Sequence, residues 1–182
     1  MDFVAIDFET ANYAQDSACA IGLVKVAGGE IVETAVHFIR PPSRRFVFTY
    51  IHGLTWDHVA EADDFGTLWP KLAPLLGGAK FIAAHNASFD RGVLNACCTR
   101  YGLMAPAAPF RCTVQISRSA WNIYPTKLSN VCRELGISLN HHEALSDAMA
   151  CAKIVLAANA KARAARTSSR PRRAIPAAVP PA

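Results

Sequence analysis

A short apolar run broken by two acids, Phe3-Val4-Ala5-Ile6-Asp7-Phe8-Glu9, opens the chain. Its length and composition predict a buried central strand, with a site where the two carboxylates reach the strand's end. Residues 19–27 and 30–39 are two further strand candidates, separated by Gly28-Gly29, a pair that readily adopts the positive φ of a hairpin turn. The first 39 residues therefore predict three antiparallel strands.

Beyond them the pattern changes. Pro41-Pro42, Ser43 and Gly53 predict a long surface loop over residues 40–54. Asp64 is placed to cap a helix over 65–76, in which Phe65, Leu68, Trp69, Leu72 and Leu75/Leu76 recur at helical spacing before Gly77-Gly78. Residues 80–84 read as a buried strand, 88–101 as a helix stopped by Gly102, and 110–116 as a fifth strand. Two helices are expected last, over 127–135 and 144–162. After the hairpin, this strand-helix-strand order implies parallel additions to the sheet, giving an α/β fold.

At 182 residues the chain suits one domain, expected over residues 1–160. The net charge of +5 does not describe that domain: six of the 19 basic residues (Lys161, Arg163, Arg166, Arg170, Arg172, Arg173) follow residue 160, leaving 13 against 14 acids, a formal charge of −1. Residues 161–182 are expected to form a basic, disordered Arg/Ala/Pro tail, either an electrostatic anchor for nucleic acid or a solubilising end. The six cysteines form no C-x-x-C pair and read as reduced, mostly buried residues. No apolar stretch is long enough for a transmembrane helix, and the N-terminus lacks the pattern of a secretory signal, so a cytoplasmic location is expected.

Three segments carry candidate chemistry. Asp7 and Glu9 lie two positions apart on a strand, so both carboxylates face one way and can begin a site for a hard divalent cation. Such a pair also ends many strands as two solvated acids. In His85-Asn86-Ala87-Ser88-Phe89-Asp90 a strand passes into a helix, where Asn86 or Ser88 can serve as N-cap and Asp90 can face the helix dipole. In His142-Glu143-Ala144-Leu145-Ser146-Asp147-Ala148 a histidine on a loop precedes an aspartate in the first turns of a helix. The His141-His142 pair is also compatible with adventitious metal binding.

Taken together, Asp7-Phe8-Glu9-Thr10, His85-Asn86-Ala87-Ser88-Phe89-Asp90 and His142-x-Ala144-Leu145-x-Asp147-Ala148 resemble the three motifs of the DEDDh 3′–5′ exonucleases. That family includes the proofreading epsilon subunit of bacterial DNA polymerase III. The resemblance implies a ribonuclease-H-like fold, a five-stranded mixed sheet with helices on both faces. It implies Asp7, Glu9, Asp90 and Asp147 as ligands of two Mg²⁺ or Mn²⁺ ions per site, about 4 Å apart, with His142 as general base. The sister branch has a tyrosine four residues before the last aspartate, where this chain has Glu143.

In the same way, Tyr50-Ile51-His52-Gly53-Leu54-Thr55 resembles a family loop whose aliphatic residue wedges between terminal bases, which makes Leu54 the wedge and His52 its neighbour at the site. Leu54 can equally be a packed residue after a turn. Phe89 is a candidate for base stacking, and Thr10 and Asn86 for sugar and phosphate contacts. The implied partners are single-stranded 3′ ends, DNA in preference to RNA, and a DNA polymerase. RNA trimming and a non-catalytic accessory role are the alternatives.

Overall fold

The computed structural model describes residues 1–168. Strands β1 (Phe3–Thr10), β2 (Ala18–Ala27) and β3 (Glu30–Phe38) form the expected antiparallel meander, with Gly28 and Gly29 both at positive φ in the turn. The loop that follows contains two helical turns, α1 (Thr49–His52) and α2 (Trp56–Val59). Helix α3 (Phe65–Leu72) is capped by Asp64, whose side chain accepts from the Thr67 N–H, and it continues as a 3₁₀ turn over Ala73–Leu76. Strand β4 (Ile82–Ala84), helix α4 (Ser88–Arg100), strand β5 (Phe110–Cys112) and helices α5 (Thr113–Trp121), α6 (Leu128–Leu135) and α7 (Ala144–Ser168) complete the order. Among the described residues no helix is long and apolar enough to cross a membrane.

The sheet order is β3-β2-β1-β4-β5, with β4 and β5 added in parallel. This is the predicted five-stranded mixed sheet. Strand alternation divides β1 between two cores: Val4, Ile6 and Phe8 pack with α3 and α4, while Phe3 and Ala5 pack with α7. Asp7 and Glu9 continue the second set and therefore face the side on which α7 lies. Helices cover both faces of the sheet.

Three expectations are corrected. The fifth strand ends at Cys112, and residues 113–121 form α5, because packing against α7 overrides the strand preference of Thr113, Val114 and Ile116. Helix α4 is preceded by Ala87 as its cap residue, without a side-chain cap bond from Asn86 or Ser88. Helix α7 runs on to Ser168, so residues 161–168 of the expected tail are helical, as their Ala and Arg content favours. The remainder of that tail lies outside the described residues.

Gly22 decides how closely α7 approaches the sheet. It is the cross-strand neighbour of Asp7, and a Cβ there would lie 2.2 Å from the Ala144 carbonyl oxygen. Gly22→Ala is therefore expected to push the start of α7 off β2. The expected cost is about 1–3 kcal/mol, and a melting temperature lower by roughly 2–12 °C would be read by calorimetry. An unchanged melting temperature would show that the contact is not tight.

Candidate active site

The site opens where β1 outruns β4. The parallel ladder between them covers only Val4 and Ala5, so the N–H of Phe8 has no β4 partner, and it donates instead to Asp90 Oδ1 at 3.1 Å. This bond ties the first turn of α4 to the end of β1. Across the sheet, the close contact at Gly22 brings the first turn of α7, and with it Asp147, beside Asp7. Four carboxylates far apart in sequence thus converge at one end of one strand.

Their environment disfavours charge. Burial comes first among the causes that raise Asp7 well above the usual carboxylate range, followed by repulsion from Asp90, Asp147 and Glu9. Glu9 is pushed up to about 8 by burial and by Asp147 and Asp90. Asp90 rises to about 7 by burial, against the opposing Phe8 hydrogen bond. Asp147 is also raised by burial, partly offset by His141.

The loop before α7 is strapped to that helix. The Asn140 N–H donates to Ser146 Oγ at 2.8 Å and its side-chain amide to Glu143 Oε2 at 3.0 Å. The imidazole of His141 lies 2.8 Å from Asp147 Oδ2 through Nδ1, and the N–H of His142 donates to the same oxygen at 3.3 Å. The other oxygen, Asp147 Oδ1, is buried and has no hydrogen-bond partner among the described residues. His142 is exposed, held at φ 68° and stacked on His141 with ring centroids 3.8 Å apart. Partial burial and the neighbouring His141 lower its pKa below the usual histidine value, against the opposing Asp147 carboxylate.

Asp7, Glu9, Asp147, His142, Thr10, His52 and Phe89 all line one cleft of about 380 Å³. Asp90, 1% exposed, sits behind its wall. Leu54 lines an adjoining cleft that shares Glu9, Ile51, His52, His141 and His142 with the first, so the histidine loop divides the two spaces. Asn86, at φ 64°, is exposed and lines neither. Among the described residues no Lys or Arg lines the main cleft.

The cleft is also lined by Phe48, Ile51, His85 and Leu128, to which the sequence assigns no role, and by His141, expected only as half of an adventitious metal-binding pair. Ile51 and His85 lie within the motif segments and His141 adjoins one, whereas Phe48 and Leu128 carry no such signal. His85 fastens three segments, with Nε2 donating to the Thr126 carbonyl at 3.0 Å and Nδ1 lying 2.8 Å from the Thr113 hydroxyl. His52 is likewise committed to the framework. Its Nδ1 accepts from the Leu54 N–H at 3.0 Å, so the proton sits on Nε2 and is donated to the Thr10 carbonyl at 3.1 Å. Only the neutral ring makes both bonds, and it pins the Leu54 loop to the end of β1.

The donor set suits a hard divalent cation. Carboxylate oxygens converge with no Lys or Arg among the described residues lining the cleft, and one of them, Asp147 Oδ1, is buried without a partner there.

Comparison with known proteins agrees. The family model for RNase T, described as an exonuclease, matches residues 4–155. The chain is 31% identical over 159 residues to a PolC-type DNA polymerase III of Clostridium perfringens, covering 85% of this chain and 11% of the polymerase. Its counterpart from Bacillus subtilis is 30% identical over 161 residues, with the same coverage. The chain thus spans about a tenth of the length of these curated relatives. Exonuclease X, solved with 5′ overhanging duplex DNA, superposes with a TM-score of 0.72 at 24% identity, covering 88% of this chain and 93% of that one. The nuclease domain of 3′hExo, a DEDDh family member solved with rAMP, gives 0.73 at 20% identity, covering 86% and 90%. With its three motifs on a shared fold, the chain belongs to the RNase T exonuclease family, as a DEDDh-type 3′–5′ exonuclease.

Proposed function

We propose that this chain removes nucleoside 5′-monophosphates from the 3′ ends of single-stranded DNA, with Asp7, Glu9, Asp90 and Asp147 holding two Mg²⁺ or Mn²⁺ ions and His142 as general base. What carries this reading is the convergence of four carboxylates, three lining a cleft and Asp90 behind its wall, beside the exposed imidazole of His142. Bound there, divalent ions would supply Lewis acidity for the attacking water and for the leaving 3′ oxygen. His142 accepts a proton from the water as its oxygen bonds to the terminal phosphorus. The bond from phosphorus to the 3′ oxygen of the preceding nucleotide breaks, and that oxygen is protonated to a hydroxyl.

The other residues select the end. Phe89, 45% exposed in the cleft, offers a ring for stacking on a terminal base. Leu54, whose N–H bonds to His52 and which lines the adjoining cleft, is the proposed wedge between the last two bases. Thr10, in the cleft wall, is the proposed contact for the sugar and phosphate of the last nucleotide. Asn86, away from both clefts, is left to more distant backbone contacts.

The preference for DNA is supported by relatives that are DNA polymerases, and the same likeness supports work beside a polymerase in the cytoplasm. Matched, labelled single strands of DNA and RNA incubated in parallel with Mg²⁺ or Mn²⁺ test it. DNA is expected to shorten from its 3′ end faster than RNA. Faster loss of RNA would make the chain an exoribonuclease, and no release from either would favour an accessory role.

A further inference from the structure

His141 lies outside the four carboxylates and the base, yet among the described residues it makes the shortest hydrogen bond to any of them. The two oxygens of Asp147 are in unequal states. Oδ2 is filled twice, by the His141 ring at 2.8 Å and the His142 N–H at 3.3 Å, whereas Oδ1 is buried and has no partner. A carboxylate acceptor requires a proton on His141 Nδ1, so the ring acts on Asp147 as a donor. A face of the same ring is engaged too, since it stacks on His142 at 3.8 Å with 19° between the planes.

We infer that His141 is a positioning residue: its Nδ1–H fixes the Asp147 carboxylate so that Oδ1 alone is offered to a divalent ion, while its ring backs the imidazole of His142. The inference rests on the cleft being a divalent-metal site. Hydrogen-bond partners behind metal ligands typically contribute 10- to 100-fold in metal affinity, because they hold the ligand in one orientation before the ion arrives. Here the carboxylate sits on the first turn of a helix and the donor on the loop before it, so the bond links the ligand to the loop that bears His142, alongside the His142 N–H and Asn140 bonds.

A different role is geometrically open. The donor atoms of His141, His142 and Asp147 lie within 4.8 Å of one another, a spacing that an imidazole-seeking ion can span. The two roles separate by substitution. Asparagine places an N–H donor close to where histidine has Nδ1 but offers no imidazole lone pair, whereas alanine removes both.

The test is Mn²⁺ titration of the full chain by calorimetry, alongside turnover measured against Mn²⁺ concentration. His141→Ala is expected to raise the Mn²⁺ dissociation constant about 10- to 100-fold and to shift the half-saturating Mn²⁺ concentration for turnover by the same factor. His141→Asn is expected to restore both to within about threefold of the starting protein, which a purely structural role for the ring would not produce. Wild-type affinity in His141→Ala would overturn the inference. So would an Asn variant as impaired as Ala, an outcome that makes His141 a ligand. If the unsubstituted chain binds no Mn²⁺, the metal-site reading itself fails, and that result is distinct from both.

Discussion

Asp7→Asn is expected to abolish release of mononucleotides and, in chelator, to make the protein more stable than the parent. The first effect follows from losing a central metal ligand, for which a fall in turnover on the order of 10³-fold or more is expected. The second follows from the repulsion among Asp7, Glu9, Asp90 and Asp147, which raises the pKa of Asp7 beyond what its burial alone imposes. Removing one charge relieves the others. Each kcal/mol recovered moves the melting temperature of a domain this size by about 2–4 °C, so a rise on the order of 5 °C at pH 8.5 is expected.

The same carboxylates give stability a pH dependence of defined sign. Glu9 at about 8 and Asp90 at about 7 bind protons more tightly folded than unfolded. Their contribution is full below the unfolded carboxylate values and is lost as pH rises through about 7 to 8. In chelator the parent should therefore melt at a lower temperature at pH 8.5 than at pH 6, and saturating Mg²⁺ should remove most of the difference. A parent equally stable at both pH values, or Asp7→Asn less stable than the parent at pH 8.5, would mean that the four acids do not share one strained site.

His142→Ala is expected to slow turnover by about 10²- to 10⁴-fold, the usual contribution of a general base, with little change in Mn²⁺ affinity. The contrast with His141→Ala is diagnostic, because the two neighbours stack on one loop yet are assigned opposite effects. The parent should remain active below pH 6.5, since burial and His141 hold the His142 pKa under its ordinary value, and the variant should lose that acid limb. Single-turnover rates with bound oligonucleotide measure it. A rate within about threefold of the parent would remove His142 from the proton transfer.

The parts of the fold that rest on local pattern were legible in the sequence. The alternation of β1, the Gly28-Gly29 hairpin and the Asp64 cap each follow from residues a few positions apart. Helix α5 was not legible, because Thr113, Val114 and Ile116 prefer strands and only contact with α7 reverses that preference. The convergence of the acids could be anticipated through their motifs, but its physical causes could not. They are Gly22 against Ala144 and the Phe8 N–H on Asp90, contacts spanning long stretches of chain. The commitment of both His52 nitrogens to Thr10 and Leu54 belongs to the same class.

Product analysis on 5′-labelled single-stranded DNA with free or blocked 3′ ends, in Mg²⁺ or in chelator, tests the central claim most directly. Progressive shortening from the free 3′ end with release of nucleoside 5′-monophosphates, absent from blocked ends and in chelator, is the predicted result. Shortening that persists in chelator or proceeds equally on blocked ends would contradict it.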